Sequence, residues 1–111
     1  MELFRHIKRI RYAMLDPVYK NESIYQWYVD QLCYRHVLLP SGEVTIHNRG
    51  NPSGQISTTM DNNMVNYFLQ AFEFYRWSQC DTLIYGDDRL SSLDKIPNGY
   101  TEKVINMYKN I

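Results

Sequence analysis

The chain has 111 residues, 44% apolar and 14% aromatic, which suits one small packed domain and excludes a disordered chain. Twelve basic side chains balance twelve acidic ones, so bulk charge makes no case for a nucleic-acid or membrane partner, although a local basic patch stays open. Cys33 and Cys80 match neither a zinc set nor a disulfide framework and read as reduced core thiols of a cytosolic protein, and His6, His36 and His47 lack metal-ligand spacing. No signal peptide is visible, and no apolar run reaches the roughly 18 residues of a membrane span.

From Glu2 to Leu15, Leu3, Ile7, Ile10 and Met14 fall at helical spacing, with Arg5, Lys8, Arg9 and Arg11 on the other side. That basic side reads as a solvated face, with phosphate contact as the alternative. Asp16-Pro17 ends the helix. A second helix is predicted from near Ser23, beside Asn21 and Glu22, with Ile24, Trp27, Tyr28 and Leu32 as its apolar stripe. "RHVLLPSGEVTIHN" reads as a hairpin turning at Pro40-Ser41-Gly42. The loop "NRGNPSGQ" follows, then a long helix from about Thr58 to Tyr75, capped by Ser57 or Thr58. In it Met60, Met64, Phe68 and Phe72 form an apolar stripe supported by Val65 and Leu69, while Thr58, Asn62, Asn66 and Gln70 line a polar face. A second hairpin, Thr82–Tyr85 with Arg89–Leu90, turns at Gly86-Asp87-Asp88. Pro97-Asn98-Gly99 precedes a last helix, about Tyr100 to Asn110, burying Val104, Met107 and Tyr108. This order predicts an α+β fold, small antiparallel hairpins packed against helices, with no internal linker.

Asp87 and Asp88 carry the sharpest chemical signal. Gly and Asp are ordinary turn residues, so the tripeptide alone is weak evidence. Two adjacent carboxylates nevertheless repel one another, and a divalent cation reverses that cost. Mg²⁺ takes hard oxygen ligands and leaves positions for substrate phosphates, and two such ions about 3.5–4 Å apart serve in-line displacement. Side chains alternate along a hairpin, so the two aspartates are not equivalent, and Asp87 is expected to be the principal ligand.

A second constellation spans "RGNPSGQISTTMDNN". Gly54 lets backbone approach a ligand closely. Thr58 and Asn62 lie one helical turn apart, and a side-chain amide both donates and accepts, as recognition of a ribose 2′-OH requires. Ser53-Gly54, Thr58 and Asn62-Asn63, followed by Tyr85-Gly86-Asp87-Asp88, resemble motifs B and C of viral RNA-dependent RNA polymerases. "HVLLPSGEV", "RGNPSGQISTTMDNNMVN", "LQAFEF" and "YGDDRLSS" resemble the astrovirus polymerase palm, over nearly the whole chain.

The resemblance implies template-directed nucleotidyl transfer from NTPs onto an RNA 3′ end, with release of pyrophosphate. It implies Asp87 and Asp88 as catalytic ligands of Mg²⁺ or Mn²⁺, Asn62 as the reader of the ribose 2′-OH, and Thr58 as its support. It implies nucleotide or RNA contacts for Ser53, Gly54, Asn63 and Gly86, with Ser53 and Gly54 in a mobile loop that tracks template and nascent pair. Implied partners are the RNA template and nascent strand, NTPs and the rest of a viral polyprotein. The implied location is the host cytoplasm, at membrane-associated replication complexes.

Motif A, which supplies a further metal-binding aspartate in this family, is not found, and Asp16 is no substitute beside Pro17. The later part of motif D, the fingers and the thumb are also not found. The expectation is a partial palm over residues 1–111 that is inactive in isolation, with an exposed hairpin edge and an aggregation risk. The link from "LQAFEF" to "DTLIYGDD", Tyr75 to Cys80, is shorter than expected for an astrovirus polymerase. Two alternatives stay open: a reverse-transcriptase-like palm, which shares an aspartate pair on a hairpin, and a non-catalytic RNA- or protein-binding relic.

Overall fold

The computed structural model describes residues 2–74, 81–96 and 98–110, and of Cys80 the backbone only. The elements are α1 (Glu2–Ala13), a single 3-10 turn (Pro17–Tyr19), α2 (Glu22–Cys33), β1 (Arg35–Leu38), β2 (Val44–His47), α3 (Thr58–Glu73), β3 (Cys80–Tyr85), β4 (Asp88–Leu93) and α4 (Tyr100–Lys109). The α+β expectation holds, as helices with two separate two-stranded antiparallel sheets. Two compact units divide the chain, Met1–Asp61 and Asn62–Ile111, and α3 gives its first turn to one and its remainder to the other. The predicted end of the long helix at Tyr75, the short Tyr75–Cys80 link and Pro97 lie outside the described residues.

In the first unit, α1 stops two residues earlier than its sequence spacing suggests. Asp16 accepts a hydrogen bond from the Val18 amide at 3.0 Å and turns the chain into the Pro17–Tyr19 turn. Asn21 caps α2 by accepting from the Ile24 amide at 3.1 Å, satisfying one of the helix's orphan donors. The buried set is Ile7 from α1 with Val29 and Cys33 from α2. Ile24 and Trp27, expected in the apolar stripe of α2, are exposed instead, as is Met14. Exposed ion pairs and ring contacts also join α1 to α2. Arg5 bonds Asp30 at 3.1 Å and Arg9 bonds Glu22 at 2.9 Å, while the Arg9 guanidinium lies 5.0 Å from the Tyr25 ring centroid. Tyr12 and Tyr25 pack ring to ring at 4.5 Å. The basic side of α1 is therefore not a solvated face. Lys8 is 5% exposed and Asp61 fully buried, and their charged groups meet at 2.5 Å. Arg11 adds a second bond to Asp61 at 2.7 Å.

The first hairpin pairs Arg35 with His47 through to Leu38 with Val44. Its turn closes with the Gly42 amide donating to the Leu39 carbonyl, and Gly42 takes φ +89°, a conformation that favours glycine.

In the second unit, β3 and β4 pair from Cys80 with Leu93 to Tyr85 with Asp88. β4 runs three residues beyond its predicted end, and the Thr82 and Ser91 hydroxyls bond across the strands at 2.9 Å. Along α3 the expected polarity is inverted in part. Met60 and Phe72 are exposed, whereas Gln70 and Glu73 are buried. Glu73 makes that arrangement tolerable by accepting from the Arg89 guanidinium and, at 2.6 Å, from the Tyr108 hydroxyl. Phe74 stacks on Tyr100 at 5.8 Å. Val104 and Met107 are half-buried and Tyr108 is 45% exposed, so α4 buries less than its apolar spacing suggests. Burial, then the Glu73 carboxylate, pushes the Tyr108 phenol up to about 12. Tyr108→Phe should lower stability by about 1 kcal/mol, the typical net value of one hydrogen bond, read as a drop in the urea midpoint at unchanged slope.

Candidate active site

A two-residue turn, Gly86-Asp87, joins β3 to β4 beyond the closing pair Tyr85–Asp88. Gly86 takes φ +63°, which a two-residue hairpin loop needs at its first position and which glycine supplies without steric cost. Asp87 is thereby held at the hairpin tip, outside the strand pleat. Asp88 opens β4 opposite Tyr85, and the alternation of the strand puts it on the face that also carries Leu83 and Leu90. Both aspartates are exposed.

The turn is tied to α3 through its backbone. Asn63 Oδ1 accepts from the Gly86 amide at 2.5 Å. Asn66 Nδ2 donates to the Gly86 carbonyl at 3.3 Å and to the Asp88 carbonyl at 3.1 Å. Beside this attachment lies an open pocket of about 400 Å³, lined by Asn62, Val65, Asn66, Leu69, Asp87, Arg89 and Tyr108. Burial pulls the Arg89 guanidinium down, but the Glu73 carboxylate more than offsets this and holds it above its ordinary value. The pocket thus combines one carboxylate, one firmly charged guanidinium and amide groups, over an apolar floor of Val65 and Leu69.

The remaining expected site residues belong to the first unit. Ser53 and Gly54 are exposed in the loop before α3, and Gly54 takes φ +85° with open space where a Cβ would stand. Thr58 turns its hydroxyl back into that loop, 2.6 Å from the Pro52 carbonyl and 2.9 Å from that of Gln55. Gln55 is the loop's organiser. Its Oε1 accepts from the Ser57 amide at 2.9 Å, and its Nε2 donates to Asn51 at 3.2 Å and to Asp61 at 3.1 Å. Ser57 stands at the N-cap position, yet its hydroxyl bonds the Asp61 carboxylate at 3.0 Å. Burial pushes the Asp61 carboxyl up, but bonds from Lys8, Arg11 and Ser57 outweigh it and hold the group below the usual range.

Among the expected residues, the structure brings Asn62 and Asp87 to one pocket and bonds Asn63 to Gly86. Asp88 reaches this region through its carbonyl, by way of Asn66. Sequence reasoning missed the roles of Asn66, Glu73, Arg89 and Tyr108, and those of Lys8, Gln55 and Asp61. The i, i+3 spacing of Asn63 and Asn66 was the one available signal, since it puts both amides on one helix face. Among the described residues no three acidic, histidine or cysteine side chains gather to hold a metal, and no helix is long and apolar enough to cross a membrane.

Residues 2–111 match the family model described as viral RNA-dependent RNA polymerase. The chain is 56% identical to the non-structural polyprotein 1AB of human astrovirus-5 over 119 residues, covering 98% of the chain and 8% of that protein. Identity to the polyproteins 1AB of ovine astrovirus 1 and turkey astrovirus 1 is 48% and 47%, covering 99% of the chain and 9% and 8% of theirs. The chain thus spans under a tenth of the length of these curated relatives. No solved structure matches.

Proposed function

We propose, from the premise that the chain belongs to the viral RNA-dependent RNA polymerase family, that it is the palm segment where an NTP is joined to the 3′ end of a growing RNA chain. The observation that carries this reading is the shared pocket of Asn62 and Asp87, which pairs an amide able to read a hydroxyl with a carboxylate able to hold a cation. Asp87 and Asp88 fit Mg²⁺ or Mn²⁺ by donor chemistry: both are hard oxygen donors, adjacent and exposed. When bound, the metal activates the attacking hydroxyl and offsets charge on the departing pyrophosphate. The resemblance adds a motif A aspartate to the ligand set, and on this reading the described pair is one part of a larger site.

This chain's own groups then bind and orient. Asn62 presents an amide to the ribose, and Arg89, held in place by Glu73, presents guanidinium donors on the same pocket wall. Gly54, with no side chain in the way, lets the loop backbone approach the template and nascent pair. The proposal extends to RNA and NTPs as partners, and to replication complexes in the host cytoplasm as its place of action. Membership of an RNA-synthesising family favours this reading over a reverse-transcriptase-like palm.

The test is primer extension by a polymerase in which this segment replaces the human astrovirus-5 stretch that it matches. Metal-dependent incorporation of NTPs in preference to dNTPs is expected. Asn62→Ala should narrow that preference about tenfold, the worth of one hydrogen bond to the 2′-OH. Preference for dNTPs would favour the reverse-transcriptase alternative. RNA affinity without metal dependence, retained in Asp87→Ala and Asp88→Ala, with no extension, would favour a binding relic.

A further inference from the structure

We infer that Asn63 and Asn66 are positioning residues, a clamp from α3 on the backbone of the Gly86-Asp87 turn that fixes where the Asp87 carboxylate stands. The inference rests on the reading of Asp87 as a metal ligand. It also gives Asn63 a different role from the nucleotide contact that the family resemblance suggests.

An isolated two-stranded hairpin is marginal in water, so its tip needs support from outside the hairpin to hold one position. Here the tip holds the group whose position matters most. In a two-residue loop closed by Tyr85 and Asp88, the Gly86 amide lies outside the strand ladder, and Asn63 Oδ1 takes it. Asn66 Nδ2 holds the Gly86 carbonyl on one side of Asp87 and the Asp88 carbonyl on the other. Three backbone groups flanking one carboxylate are thus fixed by two side chains of one helix face. Both asparagines are half-buried, which strengthens bonds that bulk water would weaken. The clamp acts on backbone, so it leaves the carboxylate oxygens of Asp87 available to a cation.

The two asparagines use opposite ends of the amide, and this gives a test that mere structural support would not pass. Asn63 acts as an acceptor, so Asn63→Asp keeps its bond to Gly86. Asn66 acts as a donor to two carbonyls, so Asn66→Asp removes both bonds and sets oxygen against oxygen. In the same segment-replaced polymerase, Asn63→Ala and Asn66→Asp should each lower kcat about tenfold to a hundredfold, the scale of a misplacement near 1 Å, with KM for NTP little changed. Asn63→Asp should recover most of the kcat lost in Asn63→Ala. In the 111-residue chain, exchange of the Gly86 amide, read by NMR, should be slow in the parent and in Asn63→Asp, and fast in Asn63→Ala.

Loss of kcat in Asp87→Asn with kcat unchanged in Asn63→Ala and Asn66→Asp would overturn the clamp. So would an effect confined to KM, which would make these residues substrate contacts. Full activity in Asp87→Asn would sink the metal-ligand reading instead. The Gly86 amide would still decide the clamp separately, and unchanged exchange in Asn63→Ala would overturn it.

Discussion

Asp61→Ala is expected to destabilise the first unit by about 3–5 kcal/mol, the cost of stranding a buried charge. Lys8 is 5% exposed and has its charge balanced by Asp61, with Ser57 and Tyr28 as further hydrogen-bond partners. Removing the carboxylate leaves that ammonium without a counter-charge and also releases Arg11, Gln55 and Ser57. Against a total stability of about 5–15 kcal/mol for an ordinary domain, such a loss is enough to unfold the unit at modest denaturant. A urea titration followed by circular dichroism reads it. Replacing both partners, Lys8→Met with Asp61→Leu, should recover most of the loss, because no buried charge is then left alone. Equal damage from the single and the double change would show that packing, not charge, dominates here.

The same carboxyl sets an acid limit. Its folded pKa lies below the ordinary 3.8, so the folded state holds the proton less tightly than the unfolded chain does. The associated stability is therefore complete above the unfolded pKa and lost as pH falls through the lower, folded value. The first unit should therefore lose stability progressively only as pH falls below 3.8, and Asp61→Asn should flatten that part of the pH profile.

In the segment-replaced polymerase, and on the proposed reading of both aspartates as metal ligands, Asp87→Asn should abolish primer extension, by at least about a thousandfold, while Asp88→Asn should cost about ten- to a hundredfold. A metal's charge stabilisation is worth several kcal/mol and each 1.36 kcal/mol is tenfold in rate, which sets the larger figure. The asymmetry comes from the hairpin. Asp87 stands in the turn and lines the pocket with Asn62, whereas Asp88 opens β4 on the face of Leu83 and Leu90. Both carboxylates are exposed, so neither change should move stability beyond about 0.5 kcal/mol, and lost activity would report chemistry, not unfolding. Equal losses at both positions would remove the distinction drawn between them.

The two hairpins were legible because their turns carry their own chemistry: Pro40-Ser41-Gly42 in one and Gly86-Asp87 in the other. The far end of β4 was not. Ser91 and Ser92 carry no strand signal, and Ser91 gains its place through a bond to Thr82 that no local window contains. The basic side of α1 was misread for a similar reason. Lys8 and Arg11 look like solvent-facing charges until Asp61, some 50 residues away, is placed beside them. The polar face of α3 was recognised as polar and included Asn66, but the partners of Asn66, and of Asn63 beside that face, are backbone groups of the hairpin turn. Every residue has such groups, so composition and periodicity cannot announce them. In the candidate pocket, Asp87 and Asn62 were singled out by residue type and spacing, whereas Glu73, Arg89 and Tyr108 needed the fold to bring them together.

The differing reach of these ties bears on the order in which the chain acquires structure. Asn63 and Gly86 are 23 residues apart, while Arg11 and Asp61 are 50 apart. Loop-closure entropy grows with the logarithm of length, so joining the more distant pair costs about 0.7 kcal/mol more before any contact forms. The longer loop also closes onto charged groups that must shed water together, since Lys8 and Asp61 gain only once both are enclosed. The tie between α3 and the β3–β4 hairpin is therefore expected to form before the one between α1 and Asp61, an order that φ-values at Asn63 and Asp61 would check.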